Sequence, residues 1–120
     1  SHILFSVPGI KGVQFGEGFG LACMKGSHAN DGFCSENGKI CTKTNRSGGI
    51  NGGITNGMPI VFSCVMKPAP SVSGVQDTVN METMENTKMK ITGRHDSAIF
   101  LRAPVIINSV TALALLDLMS

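Results

Sequence analysis

The amino-acid sequence predicts an α+β fold in which antiparallel strands pack on helices. Up to residue 93, β-branched or alternating segments are separated by glycine- and proline-rich turns, a pattern typical of strands. After Arg102 the apolar residues recur instead at three- and four-residue spacing, which is typical of a helix. Strands that lead into one buried helix indicate the α+β class.

The segment FCSENGKICTKTN, residues 33–45, predicts the clearest hairpin of the chain. Its Asn37-Gly38 pair accepts the positive φ angles that a two-residue type I′ turn requires. Cys34 and Cys41 flank this turn symmetrically, so the hairpin would place them opposite each other. Because no secretory signal is visible and the four cysteines form no C-x-x-C pair, we expect free thiols rather than a disulfide or a zinc site.

Two more segments predict strands, and the C-terminal segment predicts a helix. PIVFSCVMKP, residues 59–68, is rich in β-branched residues and ends at a proline, which cannot extend a central ladder. DTVNMETMENTKMKITG, residues 77–93, alternates polar and apolar residues around a turn that we place near Glu85 and Asn86. The helix should have about four turns, with Pro104 in its first turn.

RSGGINGGITNGMP, residues 46–59, is a glycine block. Five of the ten positions from residue 48 to residue 57 are glycine. The block contains neither G-x-x-x-x-G-K-[ST] nor G-x-G-x-x-G, which argues against a nucleotide phosphate loop. Two interpretations stay open: backbone that lies flat against a ligand, or a tight structural turn.

Composition and charge limit the function further. The 120 residues suit about one domain, and 42% are apolar while 15% are charged, which indicates a folded protein with surfaces meant for burial. The net charge of +2 and the scattered Lys and Arg residues do not favour nucleic-acid binding. Asn108 and Asp117 interrupt the apolar residues 103–119, which are fewer than the roughly 20 of a membrane span, so we expect a soluble protein.

Two groups of charged residues are candidates for chemistry. Lys67 ends a predicted strand directly before Pro68, from where an ammonium group can reach an anionic ligand, although a loop lysine is usually only solvated. In GRHD, Arg94 offers a fixed fork for a carboxylate or phosphate, and Asp96 near it should stay ionised. In an extended segment Arg94 and Asp96 share one face while His95 lies on the other. A charged surface turn is the alternative.

His28 and Asp31 in GSHAND are a weaker candidate, for a metal site. One histidine and one carboxylate at this spacing are common by chance, because a metal centre usually needs three or four protein ligands. We therefore predict no metal site.

Four segments, taken in order, resemble the C-terminal third of the chorismate synthase family. They are SVPGIKGVQFGEGF, GSHAND, TNRSGGINGGITNGMPIVFSCVMKPAPS and GRHDSAIFLRAPVIINSVTALALLDLMS, and they cover nearly all of the chain. The resemblance implies that residues 1–120 are a single C-terminal fragment without an internal boundary. It also implies that the α+β piece is part of the family's β-α-β sandwich, in which antiparallel sheets surround helices.

The resemblance also implies the family's chemistry. Chorismate synthase is a carbon–oxygen lyase of the shikimate pathway of aromatic amino acid biosynthesis. It converts 5-enolpyruvylshikimate 3-phosphate into chorismate by a 1,4-elimination of phosphate, and it requires reduced FMN. The family is cytoplasmic and homotetrameric. The expected partners are therefore this substrate, the N-terminal part of the enzyme and further copies, with no nucleic acid and no membrane.

By position, the resemblance implies which residues form the site. Asp96 matches the acidic residue beside the flavin that helps to manage the proton at N5, and Arg94 matches an FMN contact. The remaining cofactor-binding candidates are His28 and Ala29 in GSHAND, Gly52 in the glycine block, and Lys67, Pro68, Ala69, Pro70 and Ser71 in KPAPS.

The sequence departs from the family's pattern at three positions. Ser97 stands where proline is common, and Asn108 and Asn51 stand where glutamate is frequent. The family's two catalytic histidines and its arginine-rich contacts belong to the N-terminal two thirds, which this chain does not contain, so we expect the isolated fragment to be inactive. The alternative is a non-catalytic binding or assembly module that retains the scaffold, which Ser97 and Asn108 favour.

Overall fold

The computed structural model describes residues 1–93 and 99–120 of the chain. The chain divides into two compact units, Ser1–Met66 and Lys67–Ser120. Each unit contains helices together with antiparallel strands, which confirms the α+β class. A single piece without an internal boundary stays a prediction.

The first unit, which is described throughout, contains short helical segments and six strands. Helix α1 spans His2–Phe5, a 3₁₀ helix spans Gly18–Cys23, and helix α2 spans Gly26–Ala29. The strands are β1 (Ile10–Phe15), β2 (Phe33–Glu36), β3 (Lys39–Thr42), β4 (Ile50–Asn51), β5 (Ile54–Thr55) and β6 (Phe62–Met66). Strand β1 pairs with β6, β2 with β3 and β4 with β5, all antiparallel.

The pairing of β1 with β6 joins the beginning of the first unit to its end. In this register Phe15 faces Phe62, and their ring centroids lie 5.9 Å apart. The predicted strand within residues 59–68 is confirmed as β6. Helix α1 contacts β1, and the buried apolar side chains of this region are Leu4, Val7 and Ile10.

The predicted hairpin is confirmed as β2 and β3. Its two-residue turn consists of Asn37 with φ 51° and Gly38 with φ 75°, both in the region that a type I′ turn requires. Cys34 and Cys41 face each other across the pair. At the end of the hairpin away from the turn, the Lys43 N–H donates to the carbonyl of residue 32 at 2.8 Å, which extends the pairing past the strand ends.

The described part of the second unit contains a second hairpin and the longest helix. Strand β7 (Val75–Asn80) pairs antiparallel with β8 (Glu85–Lys90), a 3₁₀ helix spans Ile99–Leu101, and helix α3 spans Ala103–Met119. The predicted C-terminal helix with Pro104 in its first turn is confirmed.

The turn of the second hairpin lies at residues 81–84, so the prediction of a turn near Glu85 and Asn86 is wrong. Glu85 pairs with Asn80, so it already belongs to β8. The reason is the Asn80 side chain, whose Oδ1 accepts the Glu82 N–H at 2.9 Å. An asparagine that bonds its own backbone two residues on starts a turn, which ends at Met84 with φ 56°.

Helix α3 carries apolar residues on all of its sides. Val105 is 69% exposed, Leu116 64% and Leu118 82%, whereas Ala103 at the start of the helix is buried. A helix that is apolar all round is typical of one buried inside a larger protein. None of the helices in the described residues is long and apolar enough to cross a membrane.

Glycines allow backbone segments of the first unit to approach closely. Gly48 has φ 67°, and a Cβ added there would lie 2.5 Å from the Val61 carbonyl oxygen and against the Gly16 nitrogen. The same segments exchange hydrogen bonds, because the Gly16 N–H donates to Val61 at 2.9 Å and the Val61 N–H donates to Gly48 at 3.1 Å. A side chain at Gly48 would therefore force this three-way contact apart.

We predict that Gly48→Ala destabilises the protein by about 3 kcal/mol or more, because a left-handed backbone and a backbone clash add together. Gly57→Ala is the matched control, since Gly57 also has a positive φ of 86° but no atom within 4 Å of an added Cβ. It should cost about 1–2 kcal/mol. Thermal melting of the two full-length variants measures the difference, and equal melting temperatures would contradict the clash.

Candidate functional site

The Asp31 carboxylate binds the segment that leads into the glycine block. Its Oδ1 accepts the Thr44 hydroxyl at 2.5 Å and the Arg46 N–H at 2.9 Å, and its Oδ2 accepts the Ser47 N–H at 2.8 Å. Asp31 is 5% exposed. The buried Thr42 hydroxyl adds a bond to the Thr44 carbonyl at 2.6 Å. Residues 42–47 are thereby fixed around one buried carboxylate.

These hydrogen bonds keep Asp31 ionised. Burial alone would raise the pKa of the carboxyl group, but the bonds from Thr44, Arg46 and Ser47 outweigh it and lower the pKa from 3.8 to about 2. The sequence indicates Asp31 only as a possible metal partner of His28. Its donors lie 13, 15 and 16 residues away, and no short motif signals a pairing of that range.

His28 and Ala29, both predicted cofactor contacts, lie in helix α2. Their N–H groups donate to the Lys25 carbonyl at 2.8 and 2.9 Å, His28 is exposed and Ala29 is half-buried. Asp31 follows two residues after this helix. The Asp31 network therefore ties GSHAND to the entry of the glycine block, so the structure brings these two predicted segments together.

Gly52, another predicted contact, forms the turn between β4 and β5 together with Gly53. Their φ angles are 58° and 84°, as a two-residue type I′ turn requires. Within the described part of the chain, no heavy atom beyond the chain neighbours lies within 4 Å of a Cβ added at either residue. Gly52 therefore presents bare backbone at an open position.

The predicted loop KPAPS, residues 67–71, begins the second unit. The Pro70 carbonyl accepts the Val72 N–H at 3.0 Å and the Gln76 side-chain amide at 3.2 Å, and the same amide reaches the Val72 carbonyl at 3.3 Å. Gln76 belongs to β7, so it fastens the loop to the second hairpin. Lys67 is exposed, which leaves its ammonium group accessible. Sequence reasoning missed Gln76, because a glutamine in a strand carries no distinctive signal.

The remaining predicted residues, Arg94 and Asp96, lie outside the described residues, as does His95. That Arg94 and Asp96 share one face stays a prediction. Gly52 belongs to the first unit and residues 67–71 to the second, and each is described within its own unit. That they contact a common ligand also stays a prediction.

Taken separately, each unit offers a feature that is compatible with a flat, anionic cofactor such as FMN. Lys67 supplies an accessible positive charge, and the Gly52 turn supplies backbone that a planar ring can approach. Asn45 adds a buried acceptor: its Nδ2 donates to the Pro59 carbonyl at 2.8 Å, while its Oδ1 has no hydrogen-bond partner among the described residues. A buried acceptor left unpaired costs about 1–3 kcal/mol, so it favours a donor from water, a ligand or another part of the protein.

Comparison with known proteins extends over the whole chain. The family model described as chorismate synthase matches residues 1–120. The chorismate synthase of Methanocella arvoryzae is 49% identical over 119 residues, which are 99% of this chain and 32% of that protein. Those of Chitinophaga pinensis and Thermococcus kodakarensis are each 46% identical, over 99% and 95% of this chain and over 35% and 32% of their own lengths.

A solved structure agrees with these sequence matches. A crystal structure of chorismate synthase superimposes with a TM-score of 0.55 at 44% identity, over 58% of this chain and 21% of that one. This chain spans about a third of the length of the curated relatives that it matches. Because the family model matches every residue from 1 to 120, the chain belongs to the chorismate synthase family.

Proposed function

We propose that this chain supplies the C-terminal third of an active chorismate synthase, which converts 5-enolpyruvylshikimate 3-phosphate into chorismate and phosphate with reduced FMN. The observation that carries the proposal is the family match over all 120 residues, with 49% identity to one relative. The reaction belongs to the whole enzyme, since the chain spans 32% of that relative. The proposed role of this enzyme is in aromatic amino acid biosynthesis in the cytoplasm.

The chain's own contribution is one wall of the cofactor site. Lys67 has an accessible ammonium group that suits an anionic group of FMN, and Gln76 holds the loop behind it. Gly52 offers backbone without a side chain, so the flat ring system can lie against it. His28 and Ala29 sit on the segment that Asp31 anchors to the same block. Together these features support binding of an anionic, planar cofactor.

We assign proton transfer to Asp96 and binding of an anionic group of the cofactor to Arg94. When bound, reduced FMN supplies an electron-rich ring system that can stabilise the charge developing as phosphate leaves. A carboxylate close to a guanidinium group stays ionised, so Asp96 can accept or hold a proton at neutral pH. Arg94 offers a bidentate fork for an anionic group of the cofactor.

Assembly with the rest of the enzyme explains the apolar surface of the chain. Phe33 is 68% exposed and Ile40 77% exposed on the first hairpin, and helix α3 is apolar on all sides. Exposed apolar area of this extent is typical of surfaces that pack on other parts of a protein. The proposed partners are the N-terminal part of the enzyme and further copies in a homotetramer.

The first test is the activity of the full-length protein. With reduced FMN and 5-enolpyruvylshikimate 3-phosphate under anaerobic conditions, it should release chorismate and phosphate in equal amounts. The isolated 120-residue chain, which spans only about a third of the length of its relatives, should release neither. A folded full-length protein that binds FMN without turnover would refute the proposed activity.

The second test separates the two assigned roles by substitution in the full-length enzyme. Asp96→Asn should lower kcat by about 100-fold or more with little change in the Kd of reduced FMN, because it removes a proton carrier. Lys67→Ala should instead raise that Kd by roughly 10- to 100-fold, since a charge-assisted contact is lost. Lys88→Ala, an exposed lysine on β8, is the control and should change neither value. Flavin titration measures the Kd of reduced FMN, and chorismate release measures kcat. If Asp96→Asn mainly raised the Kd and Lys67→Ala mainly lowered kcat, the assignment of roles would be wrong.

The third test concerns Asp31. Asp31→Asn should destabilise the full-length protein by about 2 kcal/mol at neutral pH, because it weakens hydrogen bonds to a buried charge. The folded protein holds the carboxylate at a pKa of about 2 against 3.8, so it binds fewer protons there than the unfolded chain does. The stabilisation is thus complete above pH 4 and is lost as the pH falls towards 2.

Thermal melting between pH 7 and pH 3 measures this contribution. The difference between the parent protein and Asp31→Asn should shrink as the pH falls below about 4. Glu17→Gln is the control, since Glu17 has an exposed side chain just after β1 and the substitution should leave the melting temperature unchanged. A difference that stays constant across this pH range would show that the charge of Asp31 is not what stabilises the fold.

A further inference from the structure

Cys34 and Cys41 form a pair of facing thiols on the first hairpin. They are direct partners in the β2–β3 register, their Sγ atoms lie 3.2 Å apart, and one thiol donates a hydrogen bond to the other. Opposite residues on antiparallel strands have Cα atoms about 4.5–5.5 Å apart. Disulfides span Cα distances of about 4.4–6.8 Å, so a bridge needs no change in strand pairing.

The hairpin holds the two thiols in this register from both ends. At one end the Asn37-Gly38 turn fixes which residues face each other, since its positive φ angles allow a two-residue connection. At the other end the Lys43 N–H bonds the carbonyl of residue 32 at 2.8 Å. Both cysteines are half-buried, so they are ordered by their neighbours yet reachable by a small reagent.

We propose that Cys34 and Cys41 are a reversible disulfide site that reacts by exchange with a small-molecule disulfide such as oxidised glutathione. One thiolate attacks the reagent, which forms a mixed disulfide and releases one glutathione thiol. The second cysteine loses its proton to solvent and attacks the first cysteine's sulfur, which closes the bridge and releases the second glutathione thiol. The protein dithiol is oxidised by two electrons as the glutathione disulfide is reduced to two thiols.

The hydrogen bond between the two thiols also affects their ionisation. The hydrogen bond with Cys34 raises the pKa of the Cys41 thiol, and partial burial and the nearby Glu36 charge raise it further. Either sulfur can be the donor of that hydrogen bond, so either cysteine can make the first attack. In a reducing compartment a bridge of this kind is transient and forms in response to oxidants. The site is independent of the proposed lyase activity.

A zinc ion is the competing occupant of the same face. The carboxylate of Glu36 and the two sulfurs all lie within 4.8 Å of one another, and all three groups are zinc ligands. However, two sulfurs bound to one tetrahedral zinc at about 2.3 Å each lie about 3.7 Å apart. The observed separation of 3.2 Å is shorter, which favours direct bonding between the sulfurs.

The experiment uses the full-length protein, reduced and then exposed to oxidised glutathione, with remaining thiols alkylated before tryptic digestion. Trypsin cleaves after Lys25, Lys39 and Lys43, so the bridge links peptide 26–39 to peptide 40–43. The linked pair should have the mass of both peptides less two hydrogen atoms, and dithiothreitol should separate it. It should form at least about tenfold faster in the folded protein than in urea, because the hairpin positions the sulfurs.

Substitutions decide between the possible results. Cys34→Ser should abolish the linked peptides, whereas Cys64→Ser on β6 should leave them unchanged. The proposal is overturned if both cysteines are recovered alkylated, if they carry glutathione without closing a bridge, or if folded and unfolded protein react equally fast. It is also overturned if the reduced protein retains one zinc per chain that Cys34→Ser loses and that zinc prevents the bridge.

Discussion

The first unit depends on one buried carboxylate. Asp31 accepts the Arg46 N–H at 2.9 Å, and the Arg46 carbonyl in turn accepts the Glu17 N–H at 2.8 Å, just after the end of β1. Two residues further along, Gly48 accepts the Val61 N–H at 3.1 Å, just before β6. A single ionised side chain therefore connects the first hairpin to both strands of the β1–β6 pair. Because a buried charge without its donors is strongly unfavourable, the carboxylate and the loop stabilise each other.

The glycine block contains two pairs of glycines in different surroundings. Gly48 and Gly49 are buried, and a side chain on either would strike neighbouring backbone, so they are structural. Gly52 and Gly53 form an exposed turn with open space around both, which suits the approach of a ligand. Gly48 and Gly49 position the glycine block against β1 and β6, whereas Gly52 and Gly53 form its exposed surface. The block therefore needs glycine for two separate reasons, close backbone packing at Gly48 and Gly49 and the positive φ angles of the turn at Gly52 and Gly53.

Local features of the fold could be predicted from the sequence, whereas long-range ones could not. Asn37-Gly38 and Pro104 signal their structures through their own backbone preferences, so the first hairpin and helix α3 follow from short segments. The second turn was misplaced because the Asn80 side chain, rather than the Glu85 region, starts it. Asp31 and Gln76 act through partners whose positions depend on the folded chain. The site residues themselves stay predictions, whereas the hydrogen bonds of Asp31 and Gln76 that hold their segments could not be predicted from the sequence.

In the proposed enzyme, the second unit would link cofactor binding to assembly. The Gln76 side chain of β7 donates to the carbonyls of Pro70 and Val72, which ties the end of loop 67–71 to the β7–β8 hairpin. An isolated two-stranded hairpin is marginally stable in water, and this one exposes Val75 and Met81 by 64% and 88%. Since burial of apolar surface is the main favourable term in folding, the surfaces that cover this hairpin also supply the stability of the loop. In the proposed enzyme, packing of the missing two thirds and of further copies would therefore order Lys67 before any cofactor binds.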